Sequence, residues 1–166
     1  MTTTTETKYA GTTSAELELA TFYVGDLLMG IDIQQTQEIN RQVEVTVVPH
    51  CPEWVRGVIN LRGEVVTVLD LRNILGMEPI AITSDSRNII VHMNGENIGL
   101  LVDKIADVVI TDNEHIEPAP ANISGIEGKF FKGVYQLEKE LLVLLDIDEL
   151  VNNDNQNQPE QNKRGE

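Results

Sequence analysis

The stretch GVINLRGEVVTVLDLRNIL, residues 57–75, decides the fold because the chain repeats its pattern. At an offset of 76 residues stands GVYQLEKELLVLLDIDELV, residues 133–151. Gly, Val, Leu, Glu, Leu and Asp coincide at 57/133, 58/134, 61/137, 64/140, 69/145 and 70/146. Each copy reads as two apolar β-runs around a polar bend, followed by an aspartate and a short helical run. A second pair of segments repeats in the same order: VGDLLMGIDI (24–33) lies over MNGENIGLLV (93–102) at an offset of 69, with Gly30 on Gly99. Two hairpin units therefore occur twice, with about seven extra residues in the second copy.

The turns agree with this reading. Gly25-Asp26 and Asn94-Gly95 each separate two apolar runs, and Asn-Gly is a strong type I′ signal. VEVTVVP alternates and stops at Pro49, which cannot donate to a central ladder. Helical stretches are few and short: 34–41, 52–57, 71–76 and 146–151, with Pro52 suited to a first turn. A lone hairpin cannot bury its apolar face, whereas five strands curled into a small barrel can, leaving few open edges. The expected fold is mainly β: two SH3-like five-stranded barrels side by side, one per repeat unit, with a few short helices. The space between them is the natural place for something to bind.

Composition narrows the function. The chain has 166 residues and is 41% hydrophobic and 23% charged, an ordinary globular balance. Its formal charge of −15 and lack of any run of five Lys/Arg argue against tracking nucleic acid or an anionic membrane. Aromatics make up 4%, too few for a base-stacking platform. Cys51 stands alone, so no internal disulfide is possible. No secretory leader and no apolar run of about 18 residues is present, and a cytosolic chain is expected. Residues 1–15, polar and threonine-rich, and 152–166, without an apolar residue, read as disordered tails around one domain at 16–151.

Catalytic and metal signals are weak. His50-Cys51 is the one adjacent His/Cys pair; a zinc site needs three or four ligands, and His92 and His115 lack ligand spacing. No orienting base accompanies Cys51, which reads as a partly buried residue beside a proline turn. Asp70 and Asp146 could suggest an acid/base dyad with His92, but each sits where a strand gives way to a helical turn. There an aspartate caps backbone N–H groups. Asp32, Asp103 and Asp107 lack EF-hand spacing, and no phosphate-loop, dinucleotide, serine-elbow or zinc-protease motif occurs. No metal and no cofactor is expected.

Arg62 is what the repeat does not share. Its counterpart is Glu138, followed by Lys139 where the first copy has Gly63. One reading is an ordinary solvated arginine. The other is a pair with Glu38, on the segment after the first hairpin, that shapes a recognition surface beside Ile39 and Val58.

FYVGDLLMGIDIQQTQEI, VRGVINLRGEVVTVLDLR, NIGLLVDKIADVV and HIEPAP together resemble the CheW-type coupling proteins of bacterial chemotaxis, over residues 17–151. The resemblance implies two SH3-like barrels and a non-catalytic adaptor. Such an adaptor joins the cytoplasmic tip of transmembrane chemoreceptors to the histidine autokinase CheA. It implies that the receptor's helical hairpin docks between the barrels, with Glu38 and Arg62 at the groove and Ile39, Gly57, Val58, Asn60, Gly99 and Val102 lining or supporting it. The stretch 115–123 is the candidate contact for the kinase's regulatory domain, through Ile116, Glu117, Pro118 and Ile123, although Glu117 stands where some relatives carry a base. It also implies a cytoplasmic protein recruited to receptor arrays, with neither nucleic acid nor inserted membrane as a partner. An adaptor of a related non-flagellar pathway, serving pilus motility or gene regulation, is the alternative. A small β-barrel enzyme or a passive structural protein is the other class.

Overall fold

The computed structural model describes residues 16–151; the two tails expected to be disordered lie outside the described residues. The chain opens with the hairpin β1 (Glu16–Val24) and β2 (Leu27–Asp32), followed by β3 (Thr36–Asn40). The hairpin β4 (Val55–Leu61) and β5 (Glu64–Leu69) leads into α1 (Leu71–Leu75). Then come β6 (Arg87–Met93), β7 (Glu96–Val102), β8 (Lys104–Ile105) and β9 (Val109–Asp112). A small hairpin of β10 (Asn122–Ile123) and β11 (Ile126–Glu127) precedes β12 (Phe131–Gln136) and β13 (Leu141–Leu145). A final helical turn, α2, covers 147–151.

The strands form two small barrels, but not one per repeat unit. The first sheet runs β3-β6-β7-β5-β4, joining the second hairpin of the first copy to the first hairpin of the second. The other runs β12-β13-β2-β1, with β8 and β9 both on β1. Each barrel is thus made of halves from both copies, and the parallel pairs that join the halves are themselves repeated. Val68 lies opposite Gly99 where β5 meets β7, and Leu144 lies opposite Gly30 where β13 meets β2. Both positions keep their repeat offsets.

The segment after each edge strand closes its barrel. Thr46 and Val58 exchange N–H···O bonds of 2.8 and 2.9 Å; Glu117 and Val134 exchange bonds of 2.9 and 2.8 Å. This closure explains the glycines at 57 and 133. A Cβ at Gly57 would stand 2.4 Å from the Thr46 carbonyl oxygen, and one at Gly133 would stand 2.6 Å from that of Glu117. Gly57 also has φ of 150°, in the region that favours glycine.

Each barrel has a small interior: Ile59, Leu61, Val66, Val68 and Ile90 in the first, and Leu19, Leu28, Leu142 and Leu144 in the second. The largest apolar cluster lies outside both, where the barrels meet. Phe22, Met29, Leu71, Ile89, Leu100, Val143 and Leu150 belong to it. Neither barrel carries its own main core, so the two form one cooperative body.

Two helical expectations are met. Asp70 caps α1 by accepting from Asn73 N–H at 3.1 Å, and Gly76 ends it in the left-handed conformation. Asp146 accepts from Glu149 N–H at 3.2 Å at the start of α2. Two others fail. Residues 34–41 form a 3₁₀ turn over Ile33–Gln35 and then β3, because pairing with β6 overrides weak local helical preference. Residues 52–57 form a turn closed by Val55 N–H to Pro52 O at 3.1 Å, and β4 begins at Val55, paired with β5.

Candidate functional site

A groove opens where the two barrels face each other at β3 and β8. A cavity of about 220 Å³ lies in it, floored by Ala20 and Thr21 and walled by Ile33, Thr36, Glu38 and Ile39 on one side. Ile105, Ala106 and Val108 form the opposite wall. The walls are repeat mates: Thr36 and Ile105, and Ile39 and Val108, are each 69 residues apart. Ile39 is 41% exposed and Val108 55%, so apolar side chains stand open at both rims. A bulge in β3 between Thr36 and Glu38 breaks the alternation with β6, which lets Thr36, Glu38 and Ile39 all reach the groove. Thr36 Oγ1 is buried without a hydrogen-bond partner, and Thr21 Oγ1 donates to the Asp107 carbonyl.

The hairpin β4–β5 brings Arg62 to this groove. Its turn is type I′, with Arg62 at φ 52° and Gly63 at φ 89°. Asn60 Oδ1 holds the turn by accepting from Gly63 N–H at 2.9 Å. An arginine is unusual in the left-handed region; the equivalent turn at 94–95 uses Asn94. The Arg62 guanidinium donates to Glu38 across the edge of β3. Glu38 also accepts from Asn40 Nδ2 at 3.1 Å. Arg62, and next Asn40, hold the Glu38 carboxyl below the usual glutamate range. The pair is fixed in place yet open to solvent, so its consequence is for recognition more than for stability.

The other residues singled out in the sequence separate into three places. Val58 and Asn60 lie on the outer face of β4 and do not line the groove cavity. Gly57, Gly99 and Val102 are buried and act as supports: a Cβ at Gly99 would stand 2.7 Å from Asn88 Oδ1. Of the second set, Glu117 and Pro118 are exposed. Ile116 lines a cavity of about 410 Å³ at the mouth of the second barrel, with Leu17, Gly30 and Lys132. Ile123 is only 8% exposed; its side chain belongs to the inter-barrel core, so it is unavailable as a surface contact. Beside this stretch His115 Nδ1 lies 2.7 Å from Asp112 Oδ1, and that contact lowers the Asp112 carboxyl.

Sequence reasoning missed the groove residues Ala20, Ile33, Thr36, Ile105, Ala106 and Val108. A signal existed for one of them, since Val108 is the repeat mate of Ile39. The dyad reading loses its geometry: Asp70 and Asp146 are occupied as helix caps, and His92 Nδ1 lies 2.9 Å from Asn97 Oδ1 on an exposed surface. Among the described residues no three His, Cys, Asp or Glu side chains converge.

Comparison with known proteins agrees with this architecture. The "CheW-like domain" family model matches residues 18–155. The probable chemotaxis protein CheW of Rhizobium etli is 34% identical over 133 residues, covering 80% of this chain and 86% of that protein. The chemotaxis protein CheW of Klebsiella aerogenes is 31% identical over 150 residues, 90% of each chain. Protein PilI of Pseudomonas aeruginosa is 27% identical over 126 residues, 74% of this chain and 68% of that one. The crystal structure of the scaffolding protein TtCheW from Thermoanaerobacter tengcongensis superposes with a TM-score of 0.74 at 31% identity, covering 80% of this chain and 90% of that one. Exchanged hairpins, a shared core and a match over nearly all the described residues lead to one conclusion: the chain belongs to the CheW-like family of chemotaxis coupling proteins.

Proposed function

We propose that this chain is a non-catalytic adaptor that couples the cytoplasmic tip of chemoreceptors to the histidine kinase CheA. The receptor's helical hairpin lies in the groove, its apolar stripe against Ile39, Ile105 and Val108. The Glu38–Arg62 pair borders that stripe and reads the polar flank. This is helix-in-groove recognition, and the observation that carries it is an apolar groove with open rims on both walls, fenced by one fixed ion pair. The kinase's regulatory domain contacts the exposed stretch from Ile116 to Pro118. The adaptor works in the cytoplasm, where the receptor tips lie; among the described residues no helix is long and apolar enough to cross a membrane.

Such an adaptor transmits signal only by binding the receptor's signalling states with different free energies. The test is a pull-down with a receptor cytoplasmic fragment. Arg62→Asp is expected to lose binding while keeping the thermal transition of the parent, and Glu38→Arg combined with Arg62→Glu should recover part of the loss. Unchanged capture by Arg62→Asp would remove the groove from the mechanism. Co-purification of the chain from cell extract separates flagellar chemotaxis from a related non-flagellar pathway, because the receptor and kinase that come with it differ.

A further inference from the structure

We propose that Asn88 is a positioning residue for the groove: through Gln42 it sets the geometry in which Arg62 and Glu38 meet a partner helix. The inference rests on the receptor reading for what the pair does, and on hydrogen-bond geometry alone for how the pair is held.

Asn88 stands where stability favours a different side chain. It lies on β6, two residues before Ile90, and shares that residue's face toward the interior of the first barrel. It is fully buried. Its repeat mate at the offset of 69 is Leu19, which fills the interior of the second barrel. Gly99 and Gly30, also mates, leave the room in both barrels: a Cβ at Gly99 would stand 2.7 Å from Asn88 Oδ1, and one at Gly30 would stand 3.6 Å from Leu19 Cβ. An amide buried in that slot is costly unless both its ends are paired. Asn88 Oδ1 has no hydrogen-bond partner among the described residues. Its Nδ2 donates to the Gln42 carbonyl at 3.3 Å. That bond is what the amide gains over a leucine, and it leads outward to the groove.

Gln42 is the junction. Its N–H donates to Asn40 Oδ1 at 3.0 Å, and Asn40 Nδ2 donates to Glu38 Oε1 at 3.1 Å. Its side-chain Nε2 donates to the Asn60 carbonyl at 3.1 Å, and Asn60 Oδ1 holds the turn that carries Arg62. Its carbonyl accepts from Asn88 on the inner side. β3 and β4 end the sheet order on opposite sides, so strand pairing does not join Glu38 to Arg62, whereas the Gln42 bonds do. Gln42 is exposed and the Arg62 side chain is 72% exposed. Side chains so open hold one arrangement only at an entropic cost, and Asn88 is the buried anchor that offsets it. The second copy has no such chain of bonds. Val109, Thr111, Gln136 and Leu19 stand at the places of Asn40, Gln42, Asn60 and Asn88, and the Gln136 side chain donates to its own turn. Barrel closure is duplicated without these residues. The ion pair is not duplicated, since Glu138 replaces Arg62.

The test uses the full chain and two readouts. Carboxyl NMR follows the Glu38 titration, and calorimetry follows binding of a receptor cytoplasmic fragment. Arg62 and then Asn40 lower the Glu38 carboxyl, and Gln42 holds both. Asn88→Leu installs the side chain of the second barrel, so the thermal transition should stay level or rise. The Glu38 midpoint should nevertheless move up toward the ordinary glutamate range, and receptor binding should weaken about fivefold through lost preorganisation. Gln42→Ala, at an exposed position, should act in the same direction on both readouts. Asn88→Leu added to Arg62→Asn should cost no further binding, because the two act through one contact. If Asn88→Leu does not fold, Asn88→Ser, too short to reach the Gln42 carbonyl, takes its place. A Glu38 titration like the parent's in the Asn88 and Gln42 variants overturns the proposal, as does a loss of receptor binding that adds in full to that of Arg62→Asn. The titration involves no receptor, so it decides the positioning separately from the receptor reading, which falls instead on retained capture by Arg62→Asp.

Discussion

Residues 60–64 and 136–140 join the two strands of the same repeated hairpin, and they do it differently. The first is a tight type I′ turn with Arg62 in the left-handed region. The second has the same length but no residue of positive φ; it is closed by Leu137 N–H to Glu140 O at 2.9 Å, with the Gln136 side chain donating to the Leu137 and Glu140 carbonyls. The strands on either side keep the same register, and the same aspartate follows both. Positions that hold the barrels shut are duplicated, whereas the two turn positions that differ in charge, 62/138 and 63/139, lie at the surface. Divergence within the repeat therefore points to recognition, and identity points to architecture.

The comparison breaks first if its shared half is not structural. Gly57→Val and Gly133→Val each force a side chain onto a closing backbone, and each is expected to cost about 3 kcal/mol. That corresponds to a melting transition lower by roughly 10 °C. Thermal denaturation of both variants checks this. A loss in one barrel only would show that the symmetry of closure does not extend to its energetics.

The divergent half predicts an opposite pattern. Arg62→Asn gives the first barrel the Asn-Gly turn already used at 94–95, so the melting temperature should stay level or rise slightly. Binding of the receptor fragment should fall about tenfold, the scale of an interface arginine. Glu138→Asn, at the repeat-related site, should change neither. Calorimetric titration beside thermal melts separates the two effects, and equal losses at both sites would erase the asymmetry.

Smaller effects sharpen the picture. Asp70→Ala and Asp146→Ala each remove a helix cap worth about 1 kcal/mol. Asp70 should cost slightly more, since Arg56, 3.8 Å away, loses its partner; urea unfolding resolves the difference. The smallest effect is a titration. Arg62 favours the charged form of Glu38, so the pair's contribution is present at neutral pH and is lost as pH falls through the lowered Glu38 value. Carboxyl NMR should find Glu38 below the ordinary glutamate range, returning toward it in Arg62→Ala.

Much of this was legible from residues. Asn94-Gly95 announced a hairpin, Asp70 and Asp146 announced caps, and two offsets announced a duplicated fold. Glu38 and Arg62 were paired from their asymmetry and the family resemblance. The family resemblance drew Val58 and Asn60 to the groove; neither lines its cavity, and Asn60 serves it through the turn that carries Arg62. Ile123 read as a surface residue because nothing local reveals that its hairpin folds down onto Val134 and Val143. The far wall of the groove was nearly silent: Val108 was marked by its repeat mate Ile39, but Ile105 and Ala106 gain meaning only when β8 returns to β1, opposite β3.

The sequence by itself determined the repeated hairpins, their turns, the caps of the two short helices and the fact of repetition, because each rests on steric preference and hydrogen bonding within a few residues. Tertiary structure alone decided which hairpin joined which, that the main core lies between the barrels, and which apolar residues remained bare. Those outcomes depend on parallel pairings such as Val68 with Gly99 and Leu144 with Gly30. Such pairings are selected by burial of surfaces far apart in the chain, and no local pattern encodes the partner.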